Sequence, residues 1–319
     1  MQILVLIAGL LISLALPAVE FDTWEVPWPK SRPRDPFVTA DGRVWFVGQG
    51  DNYAAYLDPE SGEFRRYELS KGTGPHNLIV ADNGAVYFAG NRDAYIGLLD
   101  ANTGAVLRYD MPANITDPHT LVFSSDGNIF FTAQQSNYLG HFNVDSGEVK
   151  SWAVKTPRAR PYGIKVDSHD QPWVVLLGTN RLATLSHGEL VEIEIPRAKA
   201  RPRRLEITPD DRVWYVDYAE GFVGVYDPKT HQFYEWAAPS AKKSRPYGTA
   251  LDAKGRFWYV ETGPQPNRFI GFDTNKEEII FNGEIPDSGG AVRHMYYDAR
   301  RNVIWFGMDT NFIGRARLD

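Results

Sequence analysis

The stretch that decides the fold is residues 245–272, RPYGTALDAKGRFWYVETGPQPNRFIGF, because versions of it recur along the chain. Each version but the last opens with a proline that usually follows a basic or small residue, and an apolar residue comes three positions later. An aromatic or apolar stretch follows, and then a third stretch around a small residue, which is glycine in five of the seven repeats. The opening positions, 41 to 46 residues apart, are Pro33, Pro75, Pro118, Pro161, Pro202, Pro246 and Val292. A period of this length indicates a repeat architecture.

Each repeat contains four short apolar or alternating stretches separated by turn residues, which predicts four antiparallel strands. Asp41-Gly42 and Asp126-Gly127 precede second stretches, and such pairs favour tight hairpins. The fourth stretch alternates, as in Phe233-Tyr234-Glu235-Trp236, which is typical of an outer strand with one solvated face. The sequence therefore predicts an all-β fold, a seven-bladed β-propeller over residues 19–319.

The seventh repeat reaches Asp319 after only three strands. Residues 21–27, FDTWEVP, are similar to residues 233–239, FYEWAAP, which form a fourth stretch. We therefore expect the N-terminal strand to complete the last blade. This closure leaves no unpaired sheet edge in the ring.

The first residues have the character of a targeting segment. Residues 3–19 are apolar or small and carry no charge, which is typical of a signal peptide, although no Lys or Arg precedes the run. We expect residues 1–18 to be a signal peptide, cleaved after Ala15 or Ala18, and the mature protein to be secreted or periplasmic. An uncleaved anchor is the alternative, since about 17 apolar residues is the lower limit for a membrane span. After cleavage no stable membrane association is expected.

Composition excludes several classes of function. The chain has no cysteine, so disulfides, thiolate zinc sites and a cysteine nucleophile are excluded. There are 34 basic and 40 acidic side chains, giving a formal net charge of -6. Because this balance gives no global basic field, we expect no nucleic-acid partner.

Two sets of polar residues are predicted to meet at one face of the ring, where first strands begin and second strands end. The residues after the opening positions are Arg34, His76, His119, Tyr162, Arg203, Tyr247 and Arg293. Three of the seven second strands end with an acidic residue, namely Asp217, Glu261 and Asp309. A channel mouth of this composition suits a carboxylate- or phosphate-bearing ligand, because arginine offers paired donors. The alternative is that these arginines and acids pair with one another and only hold the blades together.

Several stretches resemble one known family, namely Arg160-Pro161-Tyr162-Gly163-Ile164, Trp258-Tyr259-Val260-Glu261 and Ile304-Trp305-Phe306-Gly307-Met308-Asp309. They are similar to the repeats of the streptogramin lyase family, that of virginiamycin B lyase, from about residue 21 to the C-terminus. The resemblance implies a seven-bladed propeller. It also implies elimination at the ester of a cyclic depsipeptide, with a magnesium ion and a histidine base.

The family's catalytic positions are only partly kept. Its Glu-Pro-His at the start of the last blade corresponds to Ala291-Val292-Arg293, so the glutamate and the base histidine are replaced. His294 is adjacent, but alternation along a strand is expected to turn it away from the channel. The family's sixth-blade histidine corresponds to Tyr247, and its last glutamate to Asp309. The resemblance therefore supports the scaffold more strongly than streptogramin lyase activity.

Two hypotheses remain open. The first is an exported, lyase-like enzyme acting by metal-assisted chemistry on an anionic or ester substrate. Its candidate residues are His76, His119 and Tyr247 for proton transfer, Arg34, Tyr162, Arg203 and Arg293 for ligand binding, and Glu261 and Asp309 for Mg²⁺. The second is a non-catalytic periplasmic or extracellular propeller that binds an anionic ligand or a protein tail. In both we expect a monomer with a small molecule or peptide at the channel mouth.

Overall fold

The computed structural model describes residues 19–319, which form seven four-stranded antiparallel sheets, each one blade of the ring. This confirms the predicted all-β propeller. The expected signal peptide and its cleavage sites lie outside the described residues. Among residues 19–319, no helix is long and apolar enough to cross a membrane.

The first three blades follow the chain from the inner strand outward. Blade one contains β2 (Pro33–Val38), β3 (Val44–Gly48), β4 (Tyr53–Leu57) and β5 (Phe64–Glu68). Blade two contains β6 (Pro75–Val80), β7 (Val86–Gly90), β8 (Tyr95–Leu99) and β9 (Val106–Asp110). Blade three contains β10 (Pro118–Phe123), β11 (Ile129–Ala133), β12 (Tyr138–Phe142) and β13 (Val149–Ala153).

Blades four to six repeat the same order. Blade four contains β14 (Pro161–Val166), β15 (Pro172–Leu176), β16 (Arg181–Ser186) and β17 (Glu189–Glu194). Blade five contains β18 (Pro202–Ile207), β19 (Val213–Asp217), β20 (Phe222–Asp227) and β21 (Gln232–Ala237). Blade six contains β22 (Pro246–Leu251), β23 (Arg256–Glu261), β24 (Arg268–Asp273) and β25 (Glu278–Glu284).

Blade seven is built from both ends of the described chain. It contains β26 (Val292–Asp298), β27 (Val303–Met308), β28 (Phe312–Leu318) and β1 (Val19–Glu25). Strand β1 pairs with β28 from Val19 opposite Leu318 to Glu25 opposite Phe312. The prediction that the N-terminal strand closes the last blade is confirmed.

The recurring aromatic and glycine motifs have one structural reason. In blade six, Gly271 on the third strand lies opposite Trp258 on the second, and a Cβ there would be 2.7 Å from the indole ring. The same pairing joins Phe131 to Gly140 and Phe306 to Gly314. The missing side chain leaves room for the aromatic ring to lie across the neighbouring strand. Because the rings are almost wholly buried, they fill the space between adjacent blades.

The first strand of every blade has an irregular register just after its opening residue. In blade one the shift lies between Arg34 and Phe37, and in blade seven between Val292 and Met295. A bulge of this kind sets extra residues against the partner strand and breaks alternation. Both residues that follow an opening position can therefore face the channel.

Candidate functional site

The structure brings the predicted first-strand residues together at one end of the channel. The ring centroids of His76 and His119 are 3.5 Å apart, and those of His119 and Tyr162 are 4.3 Å apart. The hydroxyl of Tyr162 on blade four and the hydroxyl of Tyr247 on blade six form a hydrogen bond. The guanidinium carbon of Arg203 lies 3.6 Å from the centre of the Tyr247 ring. These side chains form the mouth of the channel.

The surroundings of Tyr247 strongly lower its pKa. Its side chain is buried, and the residue is only 1% exposed. Burial opposes ionisation, but the positive charges of Arg203, Arg34 and other arginines outweigh it and lower the pKa of Tyr247 to about 7. In contrast, burial and the neighbouring Tyr247 raise the pKa of Tyr162. The opposite directions of these two shifts make Tyr247, rather than Tyr162, the group of the pair that ionises more easily.

Arg203 is held between two aromatic rings. Its guanidinium carbon lies 3.6 Å from the Tyr247 ring and 4.2 Å from the ring of Tyr218, which follows β19. Such stacking over aromatic faces is favourable for a guanidinium group and fixes its position. Tyr218 was not among the residues predicted from the repeat, because it lies in a connecting segment outside the repeated strand pattern.

The two histidines of the mouth are neutral at physiological pH. Burial and the charge of Arg34 lower the pKa of His76 well below its usual value. Burial and Arg204 do the same for His119. His119 Nδ1 lies 2.8 Å from the Thr120 hydroxyl, whereas His76 Nδ1 is buried without a partner among the described residues. Neutral imidazoles can accept or donate a hydrogen bond here without adding charge.

A second polar layer lies directly below the mouth. Its centre is Asp35, which is fully buried and accepts hydrogen bonds from Arg34 Nε at 3.1 Å and Asn77 Nδ2 at 3.1 Å. Arg204 Nη2 lies 3.5 Å from the same carboxylate, and Arg204 Nη1 donates to Thr120 at 3.3 Å. Burial would raise the pKa of Asp35, but Arg34 and the other positive groups hold it below its usual value. One carboxylate thus balances two buried arginines.

The expectation for His294 is overturned by the strand bulge. Alternation would turn it away from the channel, but His294 interacts electrostatically with Asp35 in the second layer. Burial lowers the pKa of His294 to about 3, although Asp35 opposes the shift. The same bulge explains why Asp35, Asn77, Thr120 and Arg204 were missed. Their sequence signal was present, because polar residues at two consecutive strand positions break the expected alternation.

The three acids predicted at the mouth are each held by their own surroundings. Asp217 accepts from Arg197 Nη1 at 2.5 Å and from the backbone N–H of Arg201 at 2.8 Å. Glu261 accepts from the backbone N–H and the hydroxyl of Ser240, at 2.8 and 2.5 Å. These carboxylates tie connecting segments to the ends of second strands, which is a structural role.

Asp309 forms a two-point ion pair with Arg293. Arg293 Nε and Nη2 donate to its two oxygens at 2.9 and 2.7 Å. Both oxygens of Glu261 and both oxygens of Asp309 are thus engaged in hydrogen bonds within the protein, and Ala291 replaces the family's glutamate. These positions therefore do not fit the magnesium ion that the resemblance implies. A separate group of possible ligands, Asp167 and His169 with Asp211, lies in hairpin turns away from the mouth.

The comparisons with known proteins now identify the family. The sequence matches the profile of the virginiamycin B lyase family over residues 9–264. The chain belongs to the virginiamycin B lyase family. No curated protein matches the chain at a significant level.

Solved structures of this family have the same fold. Selenomethionine-substituted virginiamycin B lyase from Staphylococcus aureus is 21% identical, with a TM-score of 0.86 over 95% of this chain and 100% of that one. A catalytically inactive variant of the same enzyme, crystallised with quinupristin, is 22% identical, with a TM-score of 0.86 over the same shares of the two chains. At these identities the similarity shows the fold alone.

The fold also occurs outside the family. Hydrazine synthase from Kuenenia stuttgartiensis is 13% identical, with a TM-score of 0.74 over 90% of this chain and 96% of that one. A shared propeller therefore does not specify a reaction, and the activity has to be argued from the side chains at the mouth.

Proposed function

We propose that this virginiamycin B lyase family propeller is a carbon–oxygen lyase. It would eliminate an oxygen leaving group from a carboxylate-bearing or ester substrate at the channel mouth. The observation that carries the proposal is the Tyr162–Tyr247 hydrogen bond beneath the guanidinium group of Arg203. The family assignment supports the class of reaction, and the residues at the mouth determine how it would proceed.

Tyr247 is the proposed general base. An elimination begins when a base removes the proton on the carbon next to the carbonyl group. A base works best when its pKa is close to the working pH, and that of Tyr247 is lowered to about 7. Once Tyr247 is ionised, its oxygen can only accept, so the hydroxyl of Tyr162 would donate their shared hydrogen bond and help to hold the phenolate in place.

Arginines would stabilise the charge that develops on the substrate. Removal of the proton leaves an enolate-like anion, and positioned guanidinium groups stabilise such an anion. Arg203 lies next to the base. Arg34 has a buried donor, Nη2, that has no partner among the described residues, and Arg293 is positioned by Asp309. No step of this mechanism passes through a metal ion.

The second half of the reaction balances the first. The electron pair of the broken C–H bond forms a carbon–carbon double bond, while the bond to the leaving oxygen breaks. The protonated Tyr247 then returns its proton to that oxygen. The products are an unsaturated acid or ester and an alcohol, so the reaction consumes no water and needs no other reactant. His76 and His119 remain candidates for hydrogen bonding to the leaving group.

Product analysis tests this proposal. The full chain is incubated with β-alkoxy carboxylates and their esters in water enriched with ¹⁸O, and the products are analysed by mass spectrometry. We expect an unsaturated product without ¹⁸O and no product with Tyr247→Phe. Incorporation of ¹⁸O into the products would show hydrolysis and contradict the proposal.

A non-catalytic binding protein is the second candidate. The observation that favours it is the replacement of the family's glutamate and histidine by Ala291 and Arg293, together with the Arg293–Asp309 ion pair. Binding assays with carboxylate ligands test this candidate. A ligand that binds to the wild type, is recovered without chemical change and binds more weakly to the double variant Arg203→Ala, Arg293→Ala would favour it.

We also propose that the protein is exported, which the apolar segment at residues 3–19 supports. Cell fractionation and N-terminal mass analysis test this proposal. We expect a mature protein outside the cytoplasm that begins at Leu16 or Val19. A cytoplasmic protein with an intact N-terminus would contradict it.

A further inference from the structure

One basic motif recurs in the segments that cross from the outer strand of a blade to the inner strand of the next. It consists of a basic residue, a small residue and an arginine before the opening proline. The four examples are Lys30-Ser31-Arg32, Arg158-Ala159-Arg160, Lys199-Ala200-Arg201 and Lys243-Ser244-Arg245. The small residue is fully buried in each, whereas the basic residues are exposed or half-buried. The motif therefore anchors each segment and presents two positive charges to solvent.

The backbone at these arginines suits glycine better than arginine. Arg32, Arg160 and Arg245 have φ angles of 48°, 56° and 47°. Blade two has Gly74 at the equivalent position, with φ of 50°. Glycine adopts this left-handed conformation without strain, whereas a residue with a side chain does not. The backbone conformation therefore gives no reason for arginine at these positions. We attribute the arginines to a role of their positive charge.

The charge of the molecule is divided between its two ends. The seven crossing segments carry twelve Lys or Arg residues and two acidic ones. The segments between second and third strands, at the same end, add one arginine and four acids. The hairpin turns at the opposite end carry fifteen acidic and seven basic residues. A net charge of -6 thus conceals a basic end that surrounds the channel mouth.

Nine of the twelve basic residues in the crossing segments lie in the three segments that lead into blades four, five and six, and we call them the basic arc. Its members are Lys155, Arg158, Arg160, Arg197, Lys199, Arg201, Lys242, Lys243 and Arg245. Arg197 pairs with Asp217 and Glu235, and Lys242 pairs with Glu220. The other seven have no carboxylate within ion-pair distance among the described residues. Tyr162, Arg203 and Tyr247 belong to the same three blades, so the arc leads to the proposed base.

We infer that the substrate is an acidic polysaccharide of uronic acid units, whose chain lies along the basic arc with one unit at the channel mouth. This inference rests on the proposed elimination. A uronate unit carries a carboxylate for Arg203 and Arg34, an acidic C–H beside it and a glycosidic oxygen in the β position. The carboxylates of neighbouring units would meet the unpaired charges of the arc.

The elimination on such a chain is balanced. Tyr247 takes the proton from C5, a double bond forms between C4 and C5, and the bond from C4 to the glycosidic oxygen breaks. The proton then passes from Tyr247 to that oxygen, which becomes the hydroxyl of the released chain. A nucleic acid could also meet the charges, but it offers no C–H next to a carboxylate to the phenol pair.

Binding of polygalacturonate to the full chain tests the inference. In the triple variant Arg160→Gly, Arg201→Gln and Arg245→Gly, two substitutions place glycine where the backbone favours it. We expect at least tenfold weaker binding at low salt and a shallower salt dependence, because fewer counterions are released. The matched control, Arg43→Gln with Lys229→Gln and Arg300→Gln on the opposite end, should bind like the wild type. Thermal unfolding verifies that all three proteins fold.

The outcomes separate this inference from the proposed function. Binding that depends on the arc, with an unsaturated uronate product, supports both. Binding without such a product supports the arc's ligand and contradicts the lyase proposal. Elimination from a small β-alkoxy carboxylate without binding to polygalacturonate contradicts the inference alone. Equal affinity for methyl-esterified polygalacturonate, for duplex DNA or for anionic lipid vesicles would also overturn it.

Discussion

At the scale of single residues, the environment of Tyr247 determines what the mouth can do. A tyrosine normally ionises at about pH 10, far above the pH at which most enzymes work. Burial alone would move its pKa higher still, but Arg203 and the neighbouring arginines lower it to about 7. The family's histidine base is absent, and this phenol supplies a group that ionises in the same pH range.

Replacing the hydrogen-bond donor should shift this ionisation without abolishing it. In Tyr162→Phe the phenolate of Tyr247 loses a donor, so we expect its pKa to rise and the activity to need higher pH. Activity should increase through about pH 7 in the wild type and through a higher pH in the variant. The control is Tyr234→Phe, because Tyr234 is 54% exposed on an outer strand. An unchanged pH profile in Tyr162→Phe would contradict the pairing.

Removing the stacked cation should have a larger effect. Arg203→Gln removes the positive charge closest to the Tyr247 ring, so we expect the pKa of Tyr247 to rise by at least one pH unit, about 1.4 kcal/mol. Arg203→Lys should restore part of the shift. The absorbance of the phenolate as a function of pH measures this directly, and identical titrations in Arg203→Gln and the wild type would exclude Arg203 as the cause.

The composition of the mouth could be predicted at this scale, but its contacts could not. His76, Tyr162 and Tyr247 follow an opening proline, so their shared face is readable from the repeat. Tyr162 and Tyr247 belong to blades four and six, and their hydrogen bond depends on the width of the ring. The acids were predicted to face a ligand. Their hydrogen-bond partners, such as Ser240 for Glu261, could not be foreseen, because they lie in connecting segments that vary from blade to blade.

At the scale of the strand, the bulge in each first strand is the feature that shapes the channel. It allows two consecutive residues to face inward, so each blade can supply a residue to the mouth and one to the layer below. Strict alternation of side chains along the first strands predicts only the residues of the mouth and not those of the layer below. The bulge can be recognised in the sequence by two consecutive polar residues after an opening position, such as Arg34-Asp35 and Arg293-His294.

The second layer should be important for stability. Asp35→Asn leaves Arg34 and Arg204 buried without their counter-charge, so we expect the free energy of unfolding to fall by about 3 kcal/mol. Urea unfolding measures the change. Asp41→Asn, at an exposed hairpin turn, is the control and should change the free energy by less than about 0.5 kcal/mol. If Asp35→Asn lowered the free energy of unfolding no more than the control does, this layer would not have the stabilising role proposed for it.

At the scale of the whole molecule, closure of the ring depends on one strand. The repeat spacing of 41 to 46 residues and the missing fourth strand of the last repeat were enough to predict both the seven blades and the role of β1. The division of charge between the two ends was not visible in the composition. It emerges only when each connecting segment is assigned to one end of the ring.

Removal of β1 should open the ring. Without residues 19–25, β28 becomes an unpaired edge, and the contact of Trp24 with Trp305 is lost. We expect a lower thermal unfolding temperature and concentration-dependent association, because exposed edges pair with other chains. Size-exclusion chromatography and thermal unfolding test this, with a chain lacking only residues 1–18 as the control. An equally stable monomer without β1 would contradict closure by this strand.

The measurement that tests the central claim most directly is a pH titration of phenolate absorbance in the wild type and in Tyr247→Phe. It needs no substrate and observes the proposed base itself. We predict that one tyrosine of the wild type ionises near pH 7 and that this transition is absent from Tyr247→Phe. If no tyrosine of the wild type ionised below about pH 9, or if the transition persisted in the variant, Tyr247 would not be the base.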